Sequence, residues 1–403
     1  MIRKVSRDGH GYSVVELHDV RHVLAVAVPQ CEGDLSTQAH DALRTIEAVH
    51  DEESTRGSIV HQAVFVARPE LIPACQKIIK DFYGGELPAT SYVLQPPCQG
   101  KLLAIEALGV GQGRGEVRIE RLSDQVVRVT HSALSWVHCA NVTPRDGVTG
   151  VYNQTVSALS RMRGMLANLD LGFDRIIRTW FYLGGIVADE GDAQRYKEMN
   201  RGRSAFFEGI QFLAGCQPRL PQVIEAYPAS TGIGAEGRGL MLSCIALATD
   251  RPEIVAMPLE NPNQTAAFHY ASSYSPKSPK FARALALSCG EHATIFISGT
   301  ASIVNSESLH KGDVEAQTHQ TLDNIAALIS EENLRRHGLP GLGTTLENLG
   351  LVRIYIKRQE DFEKTRAVCR ARLGDLPAVY AIADVCRPEL LVEIEGMAFS
   401  RRT

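Results

Sequence analysis

Residues 390–398, Leu-Leu-Val-Glu-Ile-Glu-Gly-Met-Ala, set two carboxylates, Glu393 and Glu395, inside an apolar run that reads as a strand. On a strand, residues i and i+2 share a face, so both carboxylates point the same way. Two like charges on one apolar face are costly unless they are paired, protonated or put to use. A carboxyl group kept protonated in such surroundings is an acid that can deliver a proton near neutral pH. The plainer reading is an edge strand with a solvated charged face. A second strand, 351–357, carries Arg353, Tyr355 and Lys357 on one face by the same alternation, which suits a common cleft. Cys386, just ahead of the carboxylates, reads on its own as a small buried apolar side chain.

The elements that must position these residues recur along the chain. Gly33-Asp34 and the following residues to Gln38 form a loop and N-cap feeding an amphipathic helix through Ala42, Leu43, Ile46 and Val49. A β-branched strand follows at 59–66, then a helix from Leu71 to Tyr83 ended by Gly84-Gly85, a Leu87-Pro88-Ala89 turn, and strands at 91–94 and 102–109. The order returns with Gly312-Asp313 to Gln317, a helix through Leu322, Ile325 and Ile329, the 351–357 strand, a helix from Phe362 to Leu373, Leu376-Pro377-Ala378 and the Glu393 strand. A looser middle copy runs through Gly150 to Gln154, the strand 176–182, a helix from Tyr196 to Phe207, Tyr227-Pro228-Ala229 and a strand over 239–247. Matching the turns pairs Glu106 with Glu395, and sets Ala104 and Leu242 against Glu393; Cys244 stands where the other copies carry Glu. Gly- and Pro-rich stretches near 109–115 and 250–262 divide the chain into units of residues 1–111, 112–252 and 258–403.

Composition narrows the function classes. The chain has 403 residues, 44% of them hydrophobic, and a net charge of −4, with no Lys/Arg stripe of the kind that binds nucleic acid. Its 9 cysteines are scattered without a C-x-x-C, so neither a zinc site nor a disulfide framework is expected. His138, His269 and His310 lack ligand spacing, and the glycine-containing loops do not match a dinucleotide fingerprint. The N-terminal residues lack the apolar core of a signal peptide, and no apolar run approaches the roughly 20 residues that span a bilayer. A cytoplasmic protein acting on a small molecule, with no metal, cofactor, membrane or nucleic acid, is the expectation.

The repeated strand–helix–strand–helix–strand order, with Gly-Asp…Gln and Leu-Pro-Ala, resembles the RidA/YjgF family, whose α+β units form trimers with sites in the clefts between subunits. The resemblance implies an α+β chain of three such units, a monomeric covalent pseudotrimer with sheets inside and helices outside. A longer match over 115–403 is similar to the chorismatase (FkbO/Hyg5-type) family. It is carried by Glu260-Asn261-Pro262, residues 273–284, Phe296 to Ala301, His310 to Asp313, Glu332 to Gly338, Asp384 to Arg387 and Leu391 to Gly396. Residues 178–182, 196–203 and 228–234 match as well. The first 110 residues depart from that family's usual N-terminal segment, and Trp180-Phe181-Tyr182 stands where the family tends to have Trp-Asn-Tyr.

That family removes the enolpyruvyl group of chorismate as pyruvate. Gly299 and Cys386 match its hydroxybenzoate-forming members, which implies 3-hydroxybenzoate as product. Glu393 falls at the position of the family's acid, and Glu395 and Arg387 are expected just behind it. Cys386 is expected to shape the pocket or to move a proton during aromatisation. The two carboxylates of chorismate need cations with fork-like donors, for which Arg203 is the first candidate and Lys357 or Arg353 the second. Tyr274, Tyr355, Gly299, Thr300, Thr231 and Gly232 are expected to add backbone and hydroxyl contacts. Two other readings stay open. A RidA-type deaminase would carry Arg after Leu-Pro-Ala, where this chain has Thr90, Ser230 and Val379; a non-catalytic metabolite-binding pseudotrimer is the third.

Overall fold

The computed structural model describes residues 2–402 apart from 8–9, 18–19, 56–57, 113–114, 214–215, 217–224 and 272–276. The first sheet holds β1 (Ile2–Arg7), β2 (His10–Leu17), β3 (Val20–Ala27), β4 (Ile59–Val66), β5 (Ala89–Val93) and β6 (Leu103–Gln112), in the order β1-β2-β3-β6-β4-β5. Its helices are α1 (Leu35–Glu52) and α2 (Ile72–Tyr83). The second holds β7 (Arg118–Ser123), β8 (Val126–His131), β9 (Leu134–Val142) and β10 (Ile176–Gly184), a ribbon of β11 (Asp189–Glu190) and β12 (Ala193–Gln194) outside the sheet, then β13 (Ala229–Ala235) and β14 (Leu240–Ala248). Here the helices are α3 (Val151–Ala167) and α4 (Arg195–Phe207). In the third, β15 (Ile254–Leu259), β16 (Ala284–Cys289) and β17 (His292–Ala301) are followed by a ribbon of β18 (Ile303–Val304) and β19 (Glu307–Ser308), and then by β20 (Leu349–Ile356), β21 (Ala378–Ile382) and β22 (Val392–Arg401). Helices α5 (Val314–Ile329), α6 (Glu331–Arg336) and α7 (Phe362–Leu373) belong to it. The sheets read β7-β8-β9-β14-β10-β13 and β15-β16-β17-β22-β20-β21, the strand order of the first repeated twice.

Local chemistry explains the repeated motif. The Asp34 and Asp313 side chains accept from the Thr37 and Ala316 backbone N–H groups and cap α1 and α5. The buried glutamine that follows each cap ties its helix to the start of the last strand. Gln38 accepts from the Leu102 N–H at 2.9 Å, and Gln317 accepts from the Leu391 N–H at 2.8 Å. Gln317 thereby anchors the segment leading into Glu393.

One apolar cluster joins α1 and α2 to the first sheet through Leu43, Ile46, Ile79 and Ile105, and another joins α5 and α7 to the third through Leu322, Ile325, Phe362 and Ile394. The opposite faces of the three sheets meet in a shared cluster that includes Phe65, Trp180, Phe296 and Tyr355. Each such side chain gains about 1.5–3 kcal/mol from leaving water, so the inner faces hold the sheets together.

Three β-bulges fix the correspondence between sheets. They fall between Ile59 and His61, between Ile176 and Arg178, and between Leu349 and Leu351. Aligning them sets Glu106, opposite Ala63, level with Glu395, opposite Arg353, and sets Ala104, opposite Phe65, level with Glu393, opposite Tyr355. The middle copy moves by one residue from the sequence expectation. Ser243, opposite Trp180, and Met241, opposite Tyr182, take the two places, not Cys244 and Leu242. Four residues separate β13 from β14 where nine separate β5 from β6 and β21 from β22, so spacing counted from the Pro-Ala turn does not carry over to the middle copy.

Candidate active site

Glu395 lies at the meeting point of the three sheets. Its carboxylate accepts from Arg178 at 2.5 Å, Trp180 Nε1 at 2.8 Å, Tyr355 Oη at 3.0 Å and the Thr231 hydroxyl, and Arg353 approaches to 3.2 Å. Arg353 also forms a fork on Glu106 at 2.6 and 2.7 Å and reaches Tyr182 Oη at 2.8 Å. Burial alone would push the Glu395 pKa up; Arg178 and Arg353, with hydrogen bonds from Thr231 and Trp180, outweigh it and hold the group below its usual value. Glu395 is therefore a fixed anion inside a network of two guanidiniums and two carboxylates.

Glu393, on the same face of β22, has the opposite surroundings. It is 4% exposed, and among the described residues no group hydrogen-bonds its carboxyl. Burial, then the neighbouring Glu395 charge, raise its pKa to about 8 against the pull of Arg283 and Arg178. Near neutral pH it is a carboxylic acid with a proton to give. It lines a cavity of about 460 Å³ between α4 and β13 on one side and β17, β22 and the loop before β22 on the other.

The bulge in β17 between Ile297 and Thr300 sets Gly299 against this acid, and a β-carbon there would stand 2.1 Å from Glu393 Oε1. Glycine, with no β-carbon, leaves the carboxyl its position. The Gly299 N–H donates to Thr231 Oγ1 at 2.9 Å, which links the bulge to the Glu395 network. Cys386 faces the same cavity; burial, then the Glu393 charge, push its thiol up to about 12. It is a neutral thiol, not a thiolate.

Two buried cations look into the cavity. Arg203, 1% exposed, bonds Asn200 at 2.5 Å and Ser230 at 3.3 Å. Arg283, 3% exposed, bonds the Thr265 carbonyl at 3.1 Å and Tyr270 Oη at 2.5 Å. Among the described residues neither guanidinium has a carboxylate partner, and the Nε of each lacks a hydrogen bond. Burial pulls the Arg203 pKa down to about 10, which leaves it charged near neutrality. A buried cation without an anion is expensive, and an anionic ligand would relieve Arg203; Arg283 keeps its charge more readily, because Tyr270 and Glu260 outweigh its burial.

Of the residues expected from the sequence, Glu393, Cys386, Arg203, Arg387, Gly299 and Gly232 line this cavity. Arg387 is held by the Ser306 carbonyl at 2.8 Å and Ser308 at 3.1 Å. Arg353, Tyr355 and Thr231 do not line it; they are committed to the Glu395 network. Lys357 lies beyond the end of β20 and bonds the Pro388 carbonyl at 2.9 Å and Asp384 at 3.1 Å. The Thr300 hydroxyl donates to the Ser298 carbonyl at 3.0 Å, and Ala301 lines the cavity in its stead. Tyr274 lies outside the described residues. Arg283, Tyr196, Tyr270 and Phe281 line the cavity and were missed. Arg283 sits inside the matched segment 273–284, the one signal that pointed to it.

Residues 114–248 match the family described as chorismatase FkbO/Hyg5-like, N-terminal. The chain is 39% identical over 256 residues to a chorismatase of Streptomyces hygroscopicus, covering 63% of this chain and 70% of that protein. It belongs to the chorismatase family. A second relative in the family, a 3-hydroxybenzoate synthase of the same organism, is 35% identical over 266 residues, covering 64% of this chain and 72% of its own length. A solved chorismatase structure superposes with a TM-score of 0.65 at 27% identity, over 85% of this chain and 93% of that one. That share is more than residues 115–403 can supply. The likeness to the chorismatase fold therefore reaches into the first 110 residues, where a departure was expected. A RutC family protein of Pyrococcus horikoshii is 30% identical over 108 residues, 26% of this chain and 78% of that protein.

Proposed function

We propose that this protein removes the enolpyruvyl group of chorismate as pyruvate and forms 3-hydroxybenzoate, with Glu393 as the acid. The observation that carries the reading is a protonated carboxyl group in one cavity with two guanidiniums that lack carboxylate partners. Arg203 and Arg283 hold the two substrate carboxylates by charge-assisted, fork-like bonds. Glu393 gives its proton to the vinylic CH₂, and the oxocarbenium centre develops beside the Glu393 carboxylate that the transfer leaves behind, whose negative charge favours it. The atoms of chorismate are those of pyruvate plus a hydroxybenzoate. Any water taken up in cleaving the enol ether is returned on aromatisation, and the overall change is redox-neutral.

The product assignment follows the names of the relatives together with Gly299 and Cys386. In this reading Cys386 fills the pocket wall as a neutral thiol. The chain is a covalent pseudotrimer of residues 1–111, 112–252 and 258–403, working as a monomer on a small-molecule substrate. Incubation with chorismate tests it: pyruvate is followed by coupled reduction with lactate dehydrogenase, and aromatic acids by chromatography. A folded protein that releases no pyruvate refutes the activity, and pyruvate with only a dihydrodiol refutes the product.

A further inference from the structure

The cleft around Glu393 has a counterpart of about 560 Å³ where α7 and β21 face β2, β3 and the loop before β6. The strand registers relate the two. Ser230 and Gly232 of β13 line the first, and Ala378 and Tyr380, level with them on β21, line the second. Across the cleft, Gly299 and Ala301 line the first, and Val26 and Val28 line the second. The position of Glu393 is taken by Ala104. The second cleft has the shape without the acid.

Its charge is also distinctive. Arg7, Lys101, Arg366 and Arg370 line it against one carboxylate, Asp375. Arg7 pairs with Glu52 at 3.3 Å and Arg366 with Glu363 at 2.9 Å, while Lys101, half-sunk in the surface, pairs with Glu32 and donates to the Cys31 carbonyl at 3.2 Å; each carboxylate is exposed. Among the described residues no carboxylate pairs with Arg370. Exposed pairs contribute roughly 0–1 kcal/mol, so an incoming anion can compete for these cations. Val26, Leu373 and Tyr380 give the cleft an apolar wall.

We propose that this second cleft binds a small organic anion, a carboxylate on an apolar ring, and releases it unchanged. The proposal rests on the lining of this cleft and is independent of the reaction assigned to Glu393. Calorimetric titration with benzoate at low ionic strength tests it, with inorganic phosphate as the comparison. In the Arg203→Met protein one benzoate site remains, and adding Lys101→Ala with Arg370→Ala weakens it at least tenfold. In the wild-type background the same pair removes one of two benzoate equivalents and leaves the melting temperature unchanged. The proposal is overturned if the pair alters neither isotherm, or if phosphate binds as tightly as benzoate.

Discussion

Gly299 and Glu393 share one space: a side chain on the first would overlap the carboxyl of the second, at 2.1 Å from Oε1 and 2.9 Å from Cδ. The atoms met belong to the free end of a side chain, so an alanine would move the acid and leave the fold in place. A displacement of about 1 Å at a reacting group can cost on the order of a hundredfold in rate.

Gly299→Ala is accordingly expected to lower kcat tenfold or more with little change in melting temperature. Combined with Cys386→Ala, it is expected to shift products from hydroxybenzoate toward the dihydrodiol. Product analysis by chromatography checks both, and an unaltered profile would remove these two residues from the control of product type.

Glu393→Gln keeps the shape and removes the proton. General-acid catalysis contributes roughly 10²–10⁴-fold, and a loss of that size in kcat/KM is expected with the fold retained. The wild-type enzyme should lose activity above about pH 8, where the acid ionises. The sign for stability follows. The folded pKa is raised above the unfolded value, so the contribution is complete below pH 4.5 and is lost as pH rises through about 8. Denaturation curves should therefore show the Glu393→Gln protein gaining on the wild type between pH 5 and pH 9. Parallel curves would sink the assignment of a raised pKa.

Arg203→Met removes a buried cation that lacks a carboxylate partner. A charge-assisted hydrogen bond contributes about 1.5–3 kcal/mol, so KM for chorismate should rise roughly 10- to 100-fold. Stability should hold or improve, because an uncompensated buried charge is gone. A variant whose melting temperature falls while KM stays the same would show that Arg203 serves the fold.

Arg353→Met is expected to do the reverse. It leaves Glu106 buried without its fork and strips a cation from Glu395. Losing one partner of a buried pair costs about 3–5 kcal/mol, which urea denaturation would register as a large drop in midpoint. A stable variant with a raised KM would restore Arg353 to the substrate.

Much of the frame was legible in the sequence. The strand 59–66 and the helix 362–373 have the expected bounds, and Asp34 and Asp313 cap the helices expected of them. Glu106 and Glu395 are level, as their turns implied. The three-strand meanders that begin each sheet went unread, because β1–β3 lack the motif that marks the later elements. Strand alternation placed Arg353 and Tyr355 on one face correctly. It could not say that this face looks onto the neighbouring sheets instead of the cleft, since that depends on which sheet lies opposite. Arg283 was passed over because one Arg at a strand entrance has no spacing to mark it.

The level positions Ala63, Trp180 and Arg353 show what a single chain permits that three identical subunits would not. In a homotrimer one codon writes its residue three times around the axis, so a tryptophan or an arginine there must be accommodated in triplicate. Here a small residue, an indole and a guanidinium divide the same volume, with the Arg353 cation stacked 5.2 Å from the Trp180 ring. Three sheets of one strand order carried on a single chain can differ position by position, so one cleft holds an acid where the level positions are alanine and methionine.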